Sequence, residues 1–205
     1  MTITNGYATL AEYKTYVVAR GQASSISTDA SDDAMIEDII EAVSRYIDRE
    51  TGRRFYKATE TRYYTSIESD TLYTDDISTS TGLTIYTDDD GDRTYENTWA
   101  STDYDLLPLN AETEGFPFTM IETTPNGSYT FPGTKKGVKI TGSFGWASVP
   151  DDIKIVCLMV AQNLYTKRSG QQAGGTVEVT AAGVVIRPED VPPFARTLLT
   201  RYMVI

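Results

Sequence analysis

The side chains in this chain that could do chemistry are its carboxylates. Among 205 residues there is no histidine and a single cysteine, Cys157. That composition removes Ser-His-Asp and Cys-His nucleophile activation, every His-ligated metal centre, a cysteine-based zinc site and an intrachain disulfide. Cys157 lies in IVCLMVA and reads as a small buried apolar residue. The string Asp88, Asp89, Asp90, Gly91, Asp92 looks at first sight like a calcium loop. An EF-hand, however, needs its glycine at the sixth position and a bidentate glutamate at the twelfth. Lying between LTIYT and RTYENTW, the string reads instead as the tip of a hairpin.

Two carboxylates can serve as acid and base without histidine, as in glycosidases, so a carboxylate-based hydrolase stays open as an alternative. GTKKG at 133–137 lacks the phosphate-loop pattern and reads as a β-turn, and no dinucleotide glycine fingerprint follows a strand. Asn126, Gly127 and Ser128 match a glycosylation acceptor, but nothing else points to secretion. No metal and no cofactor is expected.

Charge is strongly localised. Residues 70–114 hold twelve Asp or Glu against one base, Arg93, and so carry the whole net charge of −11. Phosphate binding requires clustered Lys and Arg, so the chain is a poor candidate for wrapping nucleic acid, and repelling DNA or keeping the chain in solution fits better. Arg53 with Arg54, and Lys135, Lys136 and Lys139, are the basic clusters before the C-terminal third; they read as solvated or ion-paired surface. The opening MTITNGYATL has neither a basic start nor a signal-length apolar core, and no apolar run is long enough to span a membrane, which predicts synthesis in the cytosol.

The elements that must position these groups follow from periodicity. Thr9 and Glu12 have capping-box spacing, and Leu10, Tyr13, Tyr16 and Val17 share a face, predicting a helix over 10–19. GQASSISTDAS is a loop. A second helix over 31–51 presents Met35, Ile36, Ile39, Ile40, Val43 and Ile47 and stops at Gly52. From 54 to about 146, Thr-, Tyr-, Ile- and Val-rich runs alternate with turn clusters, giving strands at 60–65, 83–87, 94–97, 103–107, 118–123 and 138–143. Pro150, Asp151 and Asp152 open a third helix over 150–168, with Ile153, Val156, Cys157, Val160 and Leu164 as its stripe. A Gly-rich linker at 169–175, a hairpin of TVEVT and GVVIR, and a short terminal helix after Asp190 complete the chain.

The fold class is therefore α+β. A small helical core from 1–53 and 148–205 carries an inserted β-sandwich or barrel-like lobe over 54–147.

Several segments together resemble the head-to-tail connector (adaptor) subunits of tailed phages, of the gp6-like or gp15-like kind. They are YATLAEYKTYV, IDRETGRRF, the junction ITGSFGWASVPDDIK, the apolar helix ending NLYTKR, and TLLTRY near the end. At the junction, Gly142 and Gly145 suit close backbone approaches, and Trp146 is placed to bury against the start of the following helix. The β lobe is larger than in minimal members of the family.

The resemblance implies a non-enzymatic virion protein of the neck. It would form a ring, usually of twelve copies, docked on the portal on one side and on a stopper, tail-completion or tail terminator protein on the other. DNA would pass through the channel without sequence-specific binding, and no membrane is involved. In such connectors a C-terminal segment reaches into the portal, which here points to Phe194, Arg196, Leu198, Leu199, Arg201, Tyr202, Met203 and Ile205. Docking of this apolar end on the chain's own helices is the other reading. Asp75, Asp76, Asp88, Asp89, Asp90 and Asp92 are then candidates for an acidic channel or rim surface. A generic β-sandwich binding module is the remaining alternative. A paired acid of raised pKa in a cleft would favour an enzyme, and assembly into a hollow ring would favour a connector.

Overall fold

The computed structural model describes residues 3–21, 30–168, 179–180, 183–184, 186 and 190–204. Most of the 21–31 loop, the 169–175 linker, the rest of the 176–187 hairpin and Ile205 lie outside the described residues. The chain is α+β and divides into two compact units, one of Met1–Arg53 with Val149–Ile205, the other of Arg54–Ser148. Among the described residues no helix is long and apolar enough to cross a membrane.

In the helical unit, α1 (Leu10–Ala19) starts on the capping box: the Glu12 N–H donates to Thr9 Oγ1 at 3.2 Å, and the Thr9 N–H to Glu12 Oε2 at 2.8 Å. The second helix, α2 (Asp33–Thr51), begins two residues later than its pattern suggests. The Asp32 carboxylate accepts from the Tyr165 hydroxyl at 2.7 Å and makes no capping bond to its own helix. At the other end Gly52 takes a left-handed conformation, φ 67°, and its N–H closes on Asp48 O.

Ile36, Ile39, Ile40, Val43 and Ile47 of α2 are buried, as are Ile153, Val156, Cys157, Val160, Ala161 and Leu164 of the long helix Asp151–Arg168. Those two helices pack together, and each fully buried aliphatic side chain contributes about 1.5–3 kcal/mol. Lys154 of the long helix ties it to α1 through Glu12, at 2.8 Å.

The second unit is one antiparallel sheet of seven strands curled into a half barrel, the barrel-like of the two forms the sequence left open. Its strands are β1 (Ala58–Tyr64), β2 (Thr71–Ile77), β3 (Thr84–Thr87), β4 (Asn97–Thr98), β5 (Tyr104–Leu107), β6 (Phe118–Thr123) and β7 (Val138–Phe144). A single helical turn, α3 (Ala111–Glu114), separates β5 from β6. With that numbering, the long helix Asp151–Arg168 is α4, the short pair Val179–Thr180 and Gly183–Val184 is β8 and β9, and Pro193–Leu199 is α5.

Along one edge β7 pairs with all of β1, Ala58 to Phe144 through Tyr64 to Val138; along the other it pairs with β3 and, at Phe144, with β2. Alternate residues Val138, Ile140 and Phe144 face the core with Leu72, Ile85, Trp99, Ile121 and Phe131. Lys139, Thr141 and Ser143 take the opposite face.

Two strand expectations are corrected. Strand β2 was not anticipated, because Asp75 and Asp76 and a register break between Tyr73 and Ile77 interrupt its alternation, leaving Leu72 and Ile77 as its buried contacts. The strand expected at 94–97 shrinks to Asn97–Thr98. Residues ahead of it belong to a turn instead: the Thr94 N–H donates to Asp92 Oδ1 at 2.6 Å, and the Tyr95 hydroxyl donates to Lys136 O at 2.8 Å.

Gly145 ends β7 at φ 98°, and a Cβ there would stand 2.0 Å from Tyr56 O. Gly115 also has positive φ, 78°, but nothing lies within 4 Å of its Cβ position. Gly115→Ala is therefore expected to cost only the left-handed penalty of about 1–2 kcal/mol. Gly145→Ala should abolish cooperative folding of the sheet unit, as read by thermal denaturation. Equal melting temperatures for the two variants would contradict this account of the turn.

Candidate functional site

The acidic loop after β3 is built around one buried carboxylate. Asp88 is fully buried; its Oδ1 accepts the Gly91 N–H at 2.7 Å and its Oδ2 the Arg93 N–H at 2.9 Å. These two bonds hold Gly91 and Arg93, both at positive φ, in the tip. Burial works to raise the pKa of Asp88, but the Arg93 and Gly91 amides outweigh it and hold the group below the usual carboxylate range.

A second strap runs to the turn ahead of β7: Thr134 Oγ1 donates to Asp88 O at 2.9 Å, and the Arg93 guanidinium donates to Lys135 O. Asp89 accepts from the Asn97 amide and Asp90 from the Asp92 N–H, and all three of Asp89, Asp90 and Asp92 are exposed.

Asp88 is thus a loop organiser and leaves the set of surface acids proposed from sequence. Carboxylate oxygens of Asp88, Asp90, Asp92 and Glu96 lie within 4.8 Å of one another, a spatial grouping that linear EF-hand spacing does not reveal. Both oxygens of its buried member are already occupied by backbone donors. Asp103 plays the same part for the neighbouring turn, accepting the Ala100 N–H at 2.7 Å and the Ser128 N–H at 2.9 Å. That second bond accounts for Ser128 of the Asn126-Gly127-Ser128 triplet as a turn residue.

The remaining named acids are bound to neighbours. Asp75 pairs with Arg62 at 2.7 Å and accepts from the Tyr64 hydroxyl. Asp76 accepts the Trp146 indole N–H at 3.0 Å, and the Trp146 ring lies against Phe55 and Phe116. Arg54 pairs with Glu60 at 2.6 Å, and the Arg54 hydrogen bond, opposed by burial and helped by Arg62, holds Glu60 low.

A general acid working near neutral pH needs a raised carboxyl pKa. Glu12, Glu60, Asp88, Asp103 and Glu112 are instead each held below the ordinary carboxylate range. Burial pushes the Cys157 thiol up to about 12, which makes it a poor nucleophile.

The C-terminal candidates separate into two groups. On α5, Leu198 and Leu199 are buried with Ala195, and α5 packs on α4 and touches α2. Lys167 pairs with Asp190 at 2.6 Å ahead of the helix. Beyond it, the Arg53 Nε–H donates to Tyr202 O at 2.9 Å and the Val204 N–H to Thr51 O at 3.0 Å, so the tail runs back to the end of α2. Leu198 and Leu199 are therefore withdrawn from the partner-contact set. Phe194, Arg196, Arg201 and Met203 remain exposed and Tyr202 half-buried, while Ile205 lies outside the described residues.

Asp88→Ala is expected to lower the melting temperature clearly more than Asp90→Ala, since only the former strips acceptors from two amides. Because Asp88, Asp103 and Glu60 have folded pKa values depressed below their unfolded ones, they contribute stability that is complete above about pH 5. It is lost as pH falls through the folded values. A melting temperature that stays flat below about pH 4, or equal melts for the two alanine variants, would contradict the assignment.

No family model and no curated protein matches the chain. Solved structures do. A chain from the neck of an empty GTA particle, computed with C6 symmetry, superposes with a TM-score of 0.55 at 15% identity, covering 100% of this chain and 93% of that one. Another, from the virion of the native gene transfer agent (GTA) particle, gives a TM-score of 0.52 at 16% identity and covers 96% and 89%. This chain therefore has the fold of chains found in the neck and virion of a gene transfer agent particle.

Proposed function

We propose that this chain is a head-to-tail connector, or adaptor, subunit of a tailed phage or phage-like particle, close to the gp6-like and gp15-like connectors. Copies form a ring, twelve in the particle, that docks under the portal, prolongs the DNA channel and offers a surface to the stopper, tail-completion or tail terminator protein. The observation that carries this reading is the fold shared almost end to end with neck and virion chains of the gene transfer agent particle. The depressed carboxyls and the buried, raised thiol also suit a mechanical part better than a hydrolase.

Within this reading the exposed Asp89, Asp90 and Asp92 face the channel or its rim. There they discourage DNA from adhering, acting over about one Debye length, roughly 8 Å at physiological salt. The portal contact falls to the exposed part of the C-terminal segment. Phe194 and Met203, 60% and 38% exposed, supply the apolar anchors, and Arg196 and Arg201 the charge.

Binding of the full chain to its portal ring, measured by sedimentation, tests this. Phe194→Ser with Met203→Ser should leave the melt nearly unchanged and weaken portal binding at least about tenfold, a loss of about 1.4 kcal/mol. Leu199→Ala should instead cost about 2–5 kcal/mol of stability, because it empties a buried site of the helical unit. Unchanged portal binding by the double serine variant would remove the C-terminal contact from the proposal. Failure of the wild-type chain to bind portal at all would remove the connector reading.

A further inference from the structure

The outer face of the half barrel carries two wings of opposite character. On the first, built from β1, β7 and β3, the register places Tyr63 opposite Lys139 and Lys139 opposite Tyr86. The Lys139 ammonium stands 4.5 Å from the ring centres of both Tyr86 and Tyr95, and Tyr63 lies 6.0 Å from Tyr95 and is 52% exposed. Thr61, Thr141 and Thr84 form the adjacent row, so this wing has hydroxyls and aromatic rings and no acid. Ring faces orient the lysine without cancelling its charge. Among the described residues Lys139 has no carboxylate partner.

The second wing, from β2, β6 and β5, is the reverse. Asp105 stands directly opposite Glu122, and the next outward row is Tyr73, Met120 and Leu107. Tyr73 is 70% exposed. Like charges directly opposite on neighbouring strands repel at about 5 Å between Cβ atoms. Neither carboxylate has a basic partner among the described residues.

We propose that these wings are the two halves of a head-to-tail contact between copies of this chain. Lys139 of one copy sits against Asp105 and Glu122 of the next, and the Tyr63, Tyr86 and Tyr95 cluster covers Tyr73, Met120 and Leu107. The proposal rests on the ring reading above and gives it an interface. A contact between two different patches of one molecule is heterologous, the geometry that closes into rings. It also explains how a strongly acidic lobe can be placed beside copies of itself: each junction sets an unneutralised cation against an unneutralised acid pair. The curl of the sheet turns the wings in different directions, which suits a contact passed from copy to copy.

Two charge reversals and their mixture test this in the full-length chain, alone and with portal, by native mass measurement over a range of concentrations. Lys139→Glu alone, and Asp105→Lys with Glu122→Lys, should each raise the concentration for half-assembly at least about tenfold, the effect of a like-charge contact. Unchanged circular dichroism would show that each variant folds. An equimolar mixture should recover assembly, because each variant presents the complement of the other. Variants that assemble like wild type, or a mixture that fails to recover, overturn this interface while leaving the ring reading in place. A wild-type chain that stays single under all conditions, with and without portal, overturns both.

Discussion

Strand β7 bonds to three other strands. Its residues Val138–Phe144 pair with β1 along one edge and with β3 and β2 along the other, and their alternation decides which side chains enter the core and which face outward. One residue of slip would send Ile140 and Phe144 outward and bury Lys139. Both ends of the strand are pinned. At Gly145 the backbone comes too close to Tyr56 O for any side chain, and ahead of β7 the turn at 134–137 is strapped to Asp88, Arg93 and Tyr95. The acidic loop is therefore part of what fixes β7, and through β7 the outer face with its two wings.

Local signals made much of this legible in the sequence. The Thr9–Glu12 capping box, the αL stop at Gly52 and the stripes of α2 and α4 depend on spacings within one element, and they appear as their residues imply. Where sequence reasoning failed, the deciding contact was distant. Asp75 and Asp76 interrupt the alternation of β2, which the sequence reading does not include, yet they are held by Arg62 and Tyr64 of β1 and by Trp146. Asp88 looked like one more solvated acid in a run. Its burial directly after buried Thr87 breaks the alternation of Ile85 and Thr87, and glycine three residues on is the sequence trace of its turn. The apolar C-terminus carried two meanings at once: Ala195, Leu198 and Leu199 recur at helical spacing and are buried, while Phe194 lies off that stripe and is exposed.

Charge links the fold to the proposed function. The charge of −11 carried by residues 70–114 argues against nucleic-acid binding and favours passage of DNA past a surface that does not hold it. The same excess makes self-association costly unless acids and bases are sorted onto separate faces. In the structure Asp75, Asp76, Asp88 and Asp103 are engaged by neighbours within the unit, Asp89, Asp90 and Asp92 are exposed at one tip, and Asp105 with Glu122 lies across the sheet from Lys139. That sorting is what a ring of acidic subunits requires.

The proposed function is tested most directly by electron cryo-microscopy of phage-like particles assembled with this chain. The account predicts a closed ring of this fold directly under the portal, surrounding an open channel. A neck with no density for the chain, or a single copy bound away from the channel axis, would contradict it.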